Sequence, residues 1–467
     1  SRLEPRTHNP LVAGSSPASP TTGIPTTRGP ALRILIVSHY WLPENGVPQR
    51  RWDWLSGLLA SAGHEVLVLA PPPHYERETS IKVWWSQKRF RSRREIEKFA
   101  PSIEILRTGF FPAGQSITQK ALNQVGVALS TLYLGLRNPP PLANFKPDLV
   151  VGTVPAIPSG FVARAIARKH HVPYMVDLRD AWPDVLDELE NWNTAVGFPS
   201  WRERIVRIMP TNILRKVIRW SINSLLDDAV SILVTSKRLK NSLDERLMTN
   251  AADVVPAVSV VRNVFPPRSL IAPSSDVRER SLRELNVLYA GTVGRAQNLA
   301  NAISAASIAK QMGINVRLKI VGSGAAKARL KDQARALNVD ATFEPRRSAE
   351  DLSDLYRWAD TALVHLAGWK SLELAIPSKT YELMFNQLHI SAVVAGETAD
   401  VVRQYNAGHV VPPDDPEALA QLWASLCHEP DLLEVGEKAR KWVVEQFQHD
   451  APAEFIDAID KIFKAKK

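Results

Sequence analysis

Asn286-Val287-Leu288-Tyr289-Ala290-Gly291-Thr292-Val293-Gly294-Arg295 is the stretch that decides the fold. A short apolar run that ends in glycine-bearing turns reads as a buried strand entering the loop ahead of a helix. A helical pattern over residues 298–312 follows, then the strand-like Val316-Arg317-Leu318-Lys319-Ile320-Val321, closed by Gly322-Ser323-Gly324. Strand, helix and strand in that order make the two strands parallel. The same pattern stands near the start of the chain. Leu32-Arg33-Ile34-Leu35-Ile36-Val37-Ser38 runs into the loop Trp41-Leu42-Pro43-Glu44-Asn45-Gly46-Val47-Pro48. A helix with Trp52, Leu55, Leu58 and Leu59 comes next, stops at Gly63-His64, and gives way to a second strand over residues 65–70. The chain therefore begins a Rossmann-like unit twice.

Strand–helix alternation continues in both halves: Asp148-Leu149-Val150-Val151-Gly152, Tyr174-Met175-Val176-Asp177 and Ser231-Ile232-Leu233-Val234-Thr235 in the first, residues 361–365 and 391–394 in the second. The Pro/Arg/Ser-rich segment 266–282 reads as a linker. We expect α/β domains over residues 31–265 and 283–430, with C-terminal helices over 431–467 crossing back to the first domain. Residues 1–30 are Pro/Ser/Thr-rich without apolar periodicity and read as a disordered extension. In open α/β sheets ligands bind outside the carboxyl ends of the strands. The loops at 41–50 and 291–297 each follow the first strand of their domain, so both are expected to face one interdomain cleft.

Ile376-Pro377-Ser378-Lys379-Thr380-Tyr381-Glu382 reads as a helix start suited to an anion. Ser378 is placed to cap it, and Lys379 adds charge where the dipole and the free N–H groups are already positive. Glu382, four residues after Ser378, shares its helix face and offers two acceptor oxygens to a ribose diol. The same residues also describe an ordinary capped helix with a surface Lys–Glu pair.

Composition narrows the partners. The 467 residues allow roughly two to four domains. The formal net charge of +10 suits an anionic partner, whether nucleic acid, membrane surface or phosphorylated substrate. A single cysteine, Cys427, excludes an intramolecular disulfide and fits a reducing cytoplasm. No run reaches the roughly 18 apolar residues of a membrane span. The nearest, residues 121–136, is broken by Asn123, Gln124 and Gly126.

Taken in order, these motifs resemble glycosyltransferase family four, the retaining enzymes of the two-Rossmann GT-B fold, in its bacterial surface-polysaccharide subgroup. The matching residues are Tyr40-Trp41-Leu42-Pro43-Glu44-Asn45-Gly46 with Arg50 and Arg51, Gly63-His64-Glu65-Val66, Asp180-Ala181-Trp182-Pro183-Asp184, Leu288-Tyr289-Ala290-Gly291-Thr292-Val293-Gly294, Val321-Gly322-Ser323-Gly324, Pro377-Ser378-Lys379-Thr380-Tyr381-Glu382 and Val411-Pro412-Pro413-Asp414-Asp415-Pro416-Glu417-Ala418-Leu419. The resemblance implies transfer of a hexose or N-acetylamino sugar, with retention, from a nucleotide-diphosphate sugar, foremost a UDP-sugar, to a lipid-linked saccharide.

The resemblance further implies that Gly46, Gly294, Arg295, Gly322, Ser378 and Lys379 surround the donor phosphates and that Glu382 binds the ribose. Its first glutamate falls on Leu374, with Glu373 one residue before. Its lysine after Gly294-Arg295 is absent, with Gln297 and Asn298 nearby. Asp180 and Glu44 are the acid–base candidates. No Asp-x-Asp motif is present, so neither metal nor cofactor is expected. A nucleotide-sugar 2-epimerase of the same architecture is the alternative enzyme, and a nucleic-acid-binding protein the remote one.

Two basic stretches bear on the acceptor. Residues 82–98 carry seven Lys/Arg beside Trp84-Trp85, and residues 201–220 carry six among aliphatic residues. Basic charge beside Trp and aliphatic side chains suits an anionic membrane interface. The expected location is therefore cytoplasmic, peripheral on the inner face of the plasma membrane, without nucleic acid as partner.

Overall fold

Each half of the chain builds its own sheet from strands buried on both faces, which is why they read as continuous apolar runs. The computed structural model describes residues 30–464 other than 45, 75–79, 93–95, 113–116, 138, 155, 189–210, 250–254, 266–281 and 348–349. The N-terminal extension before residue 30, nearly all of the linker, residues 93–95 of the first basic stretch and residues 201–210 of the second lie outside the described residues.

The first sheet comprises β1 (Arg33–Val37), β2 (Glu65–Ala70), β3 (Ile96–Ala100), β4 (Ile103–Arg107), β5 (Leu149–Val154), β6 (Tyr174–Leu178), β7 (Ser231–Val234) and β8 (Ala257–Val260). Its order is β3-β4-β2-β1-β5-β6-β7-β8, parallel except for the edge pair β3–β4. Its helices are α1 (Val47–Ser61), α2 (Ile81–Ser86), α3 (Ile117–Arg137), α4 (Pro140–Ala143), α5 (Ile157–His170), α6 (Thr211–Asp227) and α7 (Lys237–Thr249). The basic stretch at 82–98 is thus not one charged face. It divides into α2 and the antiparallel edge strand β3, which pairs with β4 from Ile96 opposite Leu106.

The second sheet contains β9 (Glu284–Ala290), β10 (Asn315–Val321), β11 (Ala341–Glu344), β12 (Thr361–His365), β13 (Ile390–Val393) and β14 (Gly408–Val411). Its order, β11-β10-β9-β12-β13-β14, is the doubly wound arrangement, and the order reverses at β9. Around it lie α8 (Ala300–Gln311), α9 (Lys327–Ala336), α10 (Ser353–Trp358), α11 (Ser378–Phe385), α12 (Glu397–Gln404), α13 (Pro416–His428) and α14 (Glu437–Glu445). The last helix, α15 (Ala451–Lys464), packs Phe455, Ile456 and Ile459 into the first domain's core with Ile34, Ile36 and Trp52. The Phe455 and Trp52 rings meet edge-on, 6.3 Å between centroids.

Both reversal points, β1 beside β5 and β9 beside β12, carry their loops at the carboxyl ends of the strands. The domains also meet through named bonds. Ser236 Oγ donates to the Leu374 carbonyl, the Arg238 N–H to Glu397 Oε2 at 2.6 Å, and the Arg262 guanidinium pairs with Glu397 at 2.8 Å.

Candidate functional site

Two glycine loops of the second domain are zipped together. Gly291 N–H donates to the Val321 carbonyl, Val293 N–H to Ser323, and Ala326 N–H to Val293. The approach is close enough that a Cβ on Gly322 would lie 1.8 Å from the Gly291 carbonyl oxygen, so only glycine fits. Gly322 therefore shapes the loop through its backbone. Gly294 N–H is taken by Gln297 Oε1 at 3.1 Å. Gln297, where the family has a lysine nearby, folds the loop rather than charging it. Arg295 sits part-buried on this loop, and its carbonyl accepts the Asn298 N–H.

Asp414 ties this loop to its neighbours, a role its place in a proline-rich turn hinted at only weakly. Its Oδ1 accepts Asn298 Nδ2 at 2.6 Å and its Oδ2 accepts the Gly368 N–H at 3.0 Å. The loops after β9, β12 and β14 are thereby fixed as one rim.

The helix start at 377–382 forms as α11, but its cap differs from the sequence expectation. Pro377 is the N-cap, its carbonyl accepting the Thr380 N–H at 2.9 Å, and no side chain caps the helix. Ser378 is already the first helical residue, one position too late to cap. The first-turn N–H groups of Ser378 and Lys379 have no carbonyl within the helix to bond. Lys379 Nζ lies along the helix at 2.9 Å from Glu382 Oε2, and Tyr356 Oη donates to Glu382 Oε1 at 2.9 Å. Glu382 is nearly buried. Lys379 is thus placed to orient Glu382, and Tyr356, which no sequence pattern marked, holds the other oxygen.

Leu374, at the family's first glutamate position, packs against the first domain's core. The Glu373 backbone is pressed against Gly396, whose φ is +70° and whose Cβ would meet the Glu373 carbonyl oxygen at 2.1 Å.

In the first domain Gly46 is the N-cap of α1, and a Cβ there would press on Gln49 Oε1 at 2.4 Å. Glu44 is not the open cleft carboxylate that its loop position implied. It is buried, with Oε1 accepting the His74 N–H at 2.8 Å and Oε2 facing Gln49 Nε2 at 3.4 Å. Its negative charge joins the 41–46 loop to the segment after β2. Beside it, His39 Nε2 and His74 Nε2 both meet Asn123 Oδ1 of α3, at 3.0 and 3.3 Å. Burial, then the neighbouring His74, holds His39 down at about 3, against the raising effect of Asn123, so it is neutral.

Asp180 follows β6 in a turn open to solvent yet crowded by protein. That crowding raises its carboxyl above the ordinary value, with Arg179 opposing. The turn is anchored by a pair that the sequence reading gave no role. Arg51 of α1 bonds Asp177 of β6 through Nε and Nη2, the latter at 2.8 Å, both side chains being fully buried. Trp52 Nε1 also donates to Asp177 at 2.8 Å, and Arg51 Nη1 reaches the Val261 carbonyl at 2.8 Å and Asn263 Oδ1 at 3.1 Å. One guanidinium thereby joins the first cleft loop, the Asp180 turn and the exit toward the second domain.

Residues 46–257 match the glycosyl transferase 4-like domain, and residues 275–443 match glycosyl transferases group 1. The Escherichia coli K12 protein WcaI, named as a colanic acid biosynthesis glycosyl transferase, is 24% identical over 369 residues, covering 76% of this chain and 81% of its own. Sucrose-phosphate synthase of Thermosynechococcus elongatus superposes with a TM-score of 0.61 at 16% identity, over 93% of this chain and 100% of that one. Anabaena HepE, solved in complex with UDP and glucose, superposes with a TM-score of 0.56 at 13% identity, over 93% and 99%. The architecture is the GT-B fold.

Proposed function

Because the chain belongs to the family-four glycosyltransferases, we propose that it transfers a hexose or N-acetylamino sugar, with retention, from a UDP-sugar to a lipid-linked saccharide in bacterial surface-polysaccharide synthesis. The observation that carries this reading is α11: open N–H groups at its first turn, and a Glu382 carboxylate oriented one turn further on by Lys379 and Tyr356. A diphosphate at the helix start and a ribose diol at Glu382 fit that spacing. HepE, of the same fold, holds UDP and glucose, and the name of WcaI points to polysaccharide.

The main barrier is charge on the departing diphosphate. Arg295, the α11 N–H groups and the N-terminal turn of α1 after Gly46 would stabilise it, with Gly294 and Gly322 shaping the loop and no metal in the scheme. Ser378 contributes its N–H, and Lys379 acts through Glu382. Attack on the same face, assisted by the leaving phosphate, needs no protein nucleophile. Asp180, open to the cleft with its carboxyl raised, is the acid–base group of the proposal; Glu44, committed to His74 and Gln49, positions the loop.

The lipid acceptor draws support from α2 and α3. Leu122, Val125, Leu129, Tyr133 and Leu136 of α3 are exposed, Leu129 by 61% and Tyr133 by 60%, beside Trp85 at 67%. At ~100° per residue these five α3 positions fall within about 80° of one another, a stripe roughly 21 Å long. Residues 80–92 and 117–137 contain Lys82, Lys88, Arg89, Arg91, Lys120 and Arg137 and no Asp or Glu. An exposed apolar stripe in a stretch whose only charges are positive suits an anionic membrane surface. The second basic stretch is more neutralised, since Arg219 bonds Asp187 at 2.6 Å and Arg215 approaches it at 3.5 Å. No described helix is long and apolar enough to cross a membrane.

The test follows label from UDP-sugars into lipid. Label should enter the organic extract of acceptor-bearing anionic vesicles with its anomeric configuration retained. Leu122→Glu/Leu129→Glu should lose vesicle flotation at least fivefold. Epimerised nucleotide sugar formed without acceptor would overturn the transferase reading. Flotation equal for wild type and double variant would overturn the membrane role.

A further inference from the structure

We propose that Arg179 is the first domain's ligand for a phosphate or diphosphate group bound in the cleft. Arg179 follows the last residue of β6 and precedes Asp180, at the carboxyl edge of the sheet where ligands bind. Its Nε and Nη1 atoms are buried and, among the described residues, have no hydrogen-bond partner. The nearby carboxylate that would ordinarily pair with it is spent, because Asp177 Oδ1 accepts Arg51 and Asp177 Oδ2 accepts Trp52. Asp180 attracts it electrostatically, but among the described residues no hydrogen bond joins the two.

Two buried guanidinium nitrogens without an acceptor are costly, and such groups persist where a ligand completes them. Desolvation by burial lowers its pKa from the usual value, with Asp177 the leading opposing influence. Arg164 and Arg262 each leave one nitrogen unmet but still hold Asp228 and Glu397, and Arg246 leaves one unmet beside Asp184 and Asp227, whereas Arg179 leaves two. An oxyanion of phosphate type supplies several acceptor oxygens to the five donors of one guanidinium, the pairing in which arginine excels.

The site lies at the domain boundary. Thr235 Oγ1 donates to the Arg179 carbonyl at 3.4 Å, and the adjacent Ser236 donates to the Leu374 carbonyl. The Arg179 turn therefore neighbours the second-domain turn just before α11. A diphosphate held from one side by the second domain would meet this charge from the other. The phosphate could belong to the nucleotide donor or to the lipid carrier of the acceptor. The choice between those sources rests on the glycosyl-transfer reading; the unpaired guanidinium does not.

The experiment titrates the full-length protein with inorganic pyrophosphate, followed by thermal shift. Wild type should be stabilised, and Arg179→Met should bind at least tenfold more weakly while melting no lower than wild type without ligand. Pyrophosphate affinity within twofold of wild type in the variant would overturn the proposal. Parallel titrations with UDP and with farnesyl diphosphate name the source: a selective loss of the UDP response assigns the donor, and a selective loss of the farnesyl diphosphate response assigns the acceptor. Should the variant not fold, arginine modification of wild type by phenylglyoxal decides. Protection of Arg179 by pyrophosphate supports the site, and equal modification with and without it refutes the site. Neither readout requires sugar transfer, so a failure of the transferase reading would be seen separately.

Discussion

Arg51→Met is expected to destabilise the first domain by about 3–5 kcal/mol, the effect of leaving one member of a buried ion pair uncompensated. Arg51 and Asp177 are both wholly buried, and the substitution would strand Asp177 with Trp52 as its remaining donor. It would also release the Val261 carbonyl and Asn263. Denaturant unfolding followed by tryptophan fluorescence would show the loss as a lower midpoint at similar slope. The double variant Arg51→Met/Asp177→Leu should recover a substantial part of the loss, because no isolated charge remains. A single variant within 1 kcal/mol of wild type would show that the pair does not hold the cleft together.

Arg295→Ala carries the largest expected effect on rate. If the leaving diphosphate gathers charge against this loop, removing the arginine should lower kcat by roughly 10²–10³-fold, as for loss of one preorganised donor to an oxyanion. The donor KM should move much less, because the charge develops in the transition state rather than in the bound substrate. Initial rates against donor concentration separate the two quantities. Arg295→Lys should fall between, since an ammonium keeps the charge and loses the planar fork. A kcat within threefold of wild type in the alanine variant would remove Arg295 from the mechanism.

The two sheets were legible because their central strands are buried on both faces and announce themselves as apolar runs ending in glycine. Strand β9 with its Gly291–Gly294 loop, and β1 with its run to Gly46, are the clearest cases. The elements hardest to read were those whose apolar residues do not mark burial. Helix α3 hides Asn123, Val127 and Leu134 and exposes Leu122, Leu129 and Tyr133, so its sequence is apolar around much of the helix and gives no clean amphipathic signature. Strand β3 alternates charge with apolar residues at a sheet edge and was masked by the basic run around it. At the candidate site, local spacing brought Ser378, Lys379 and Glu382 together, but the cap slipped one residue, since Pro377, extended at φ −58° and ψ 130°, takes the N-cap position and leaves Ser378 inside the first turn. Arg51 and Asp177, 126 residues apart, illustrate what spacing alone does not reach. Their pairing becomes visible only once α1 packs on the sheet that holds β6. The same holds for Arg179, whose meaning depends on Asp177 being already occupied.

The most direct measurement of the central claim, a nucleotide-sugar site at α11, is the melting temperature of the protein titrated with UDP, GDP and ADP. At least one nucleotide should stabilise it, by about 2.7 kcal/mol at 100-fold excess over its Kd. The stabilisation should fall at least tenfold in apparent affinity in Glu382→Ala, where the carboxylate held by Lys379 and Tyr356 is gone. If none of the three nucleotides raises the melting temperature, or if Glu382→Ala responds as wild type does, the assignment of this cleft to a nucleotide-sugar donor is contradicted.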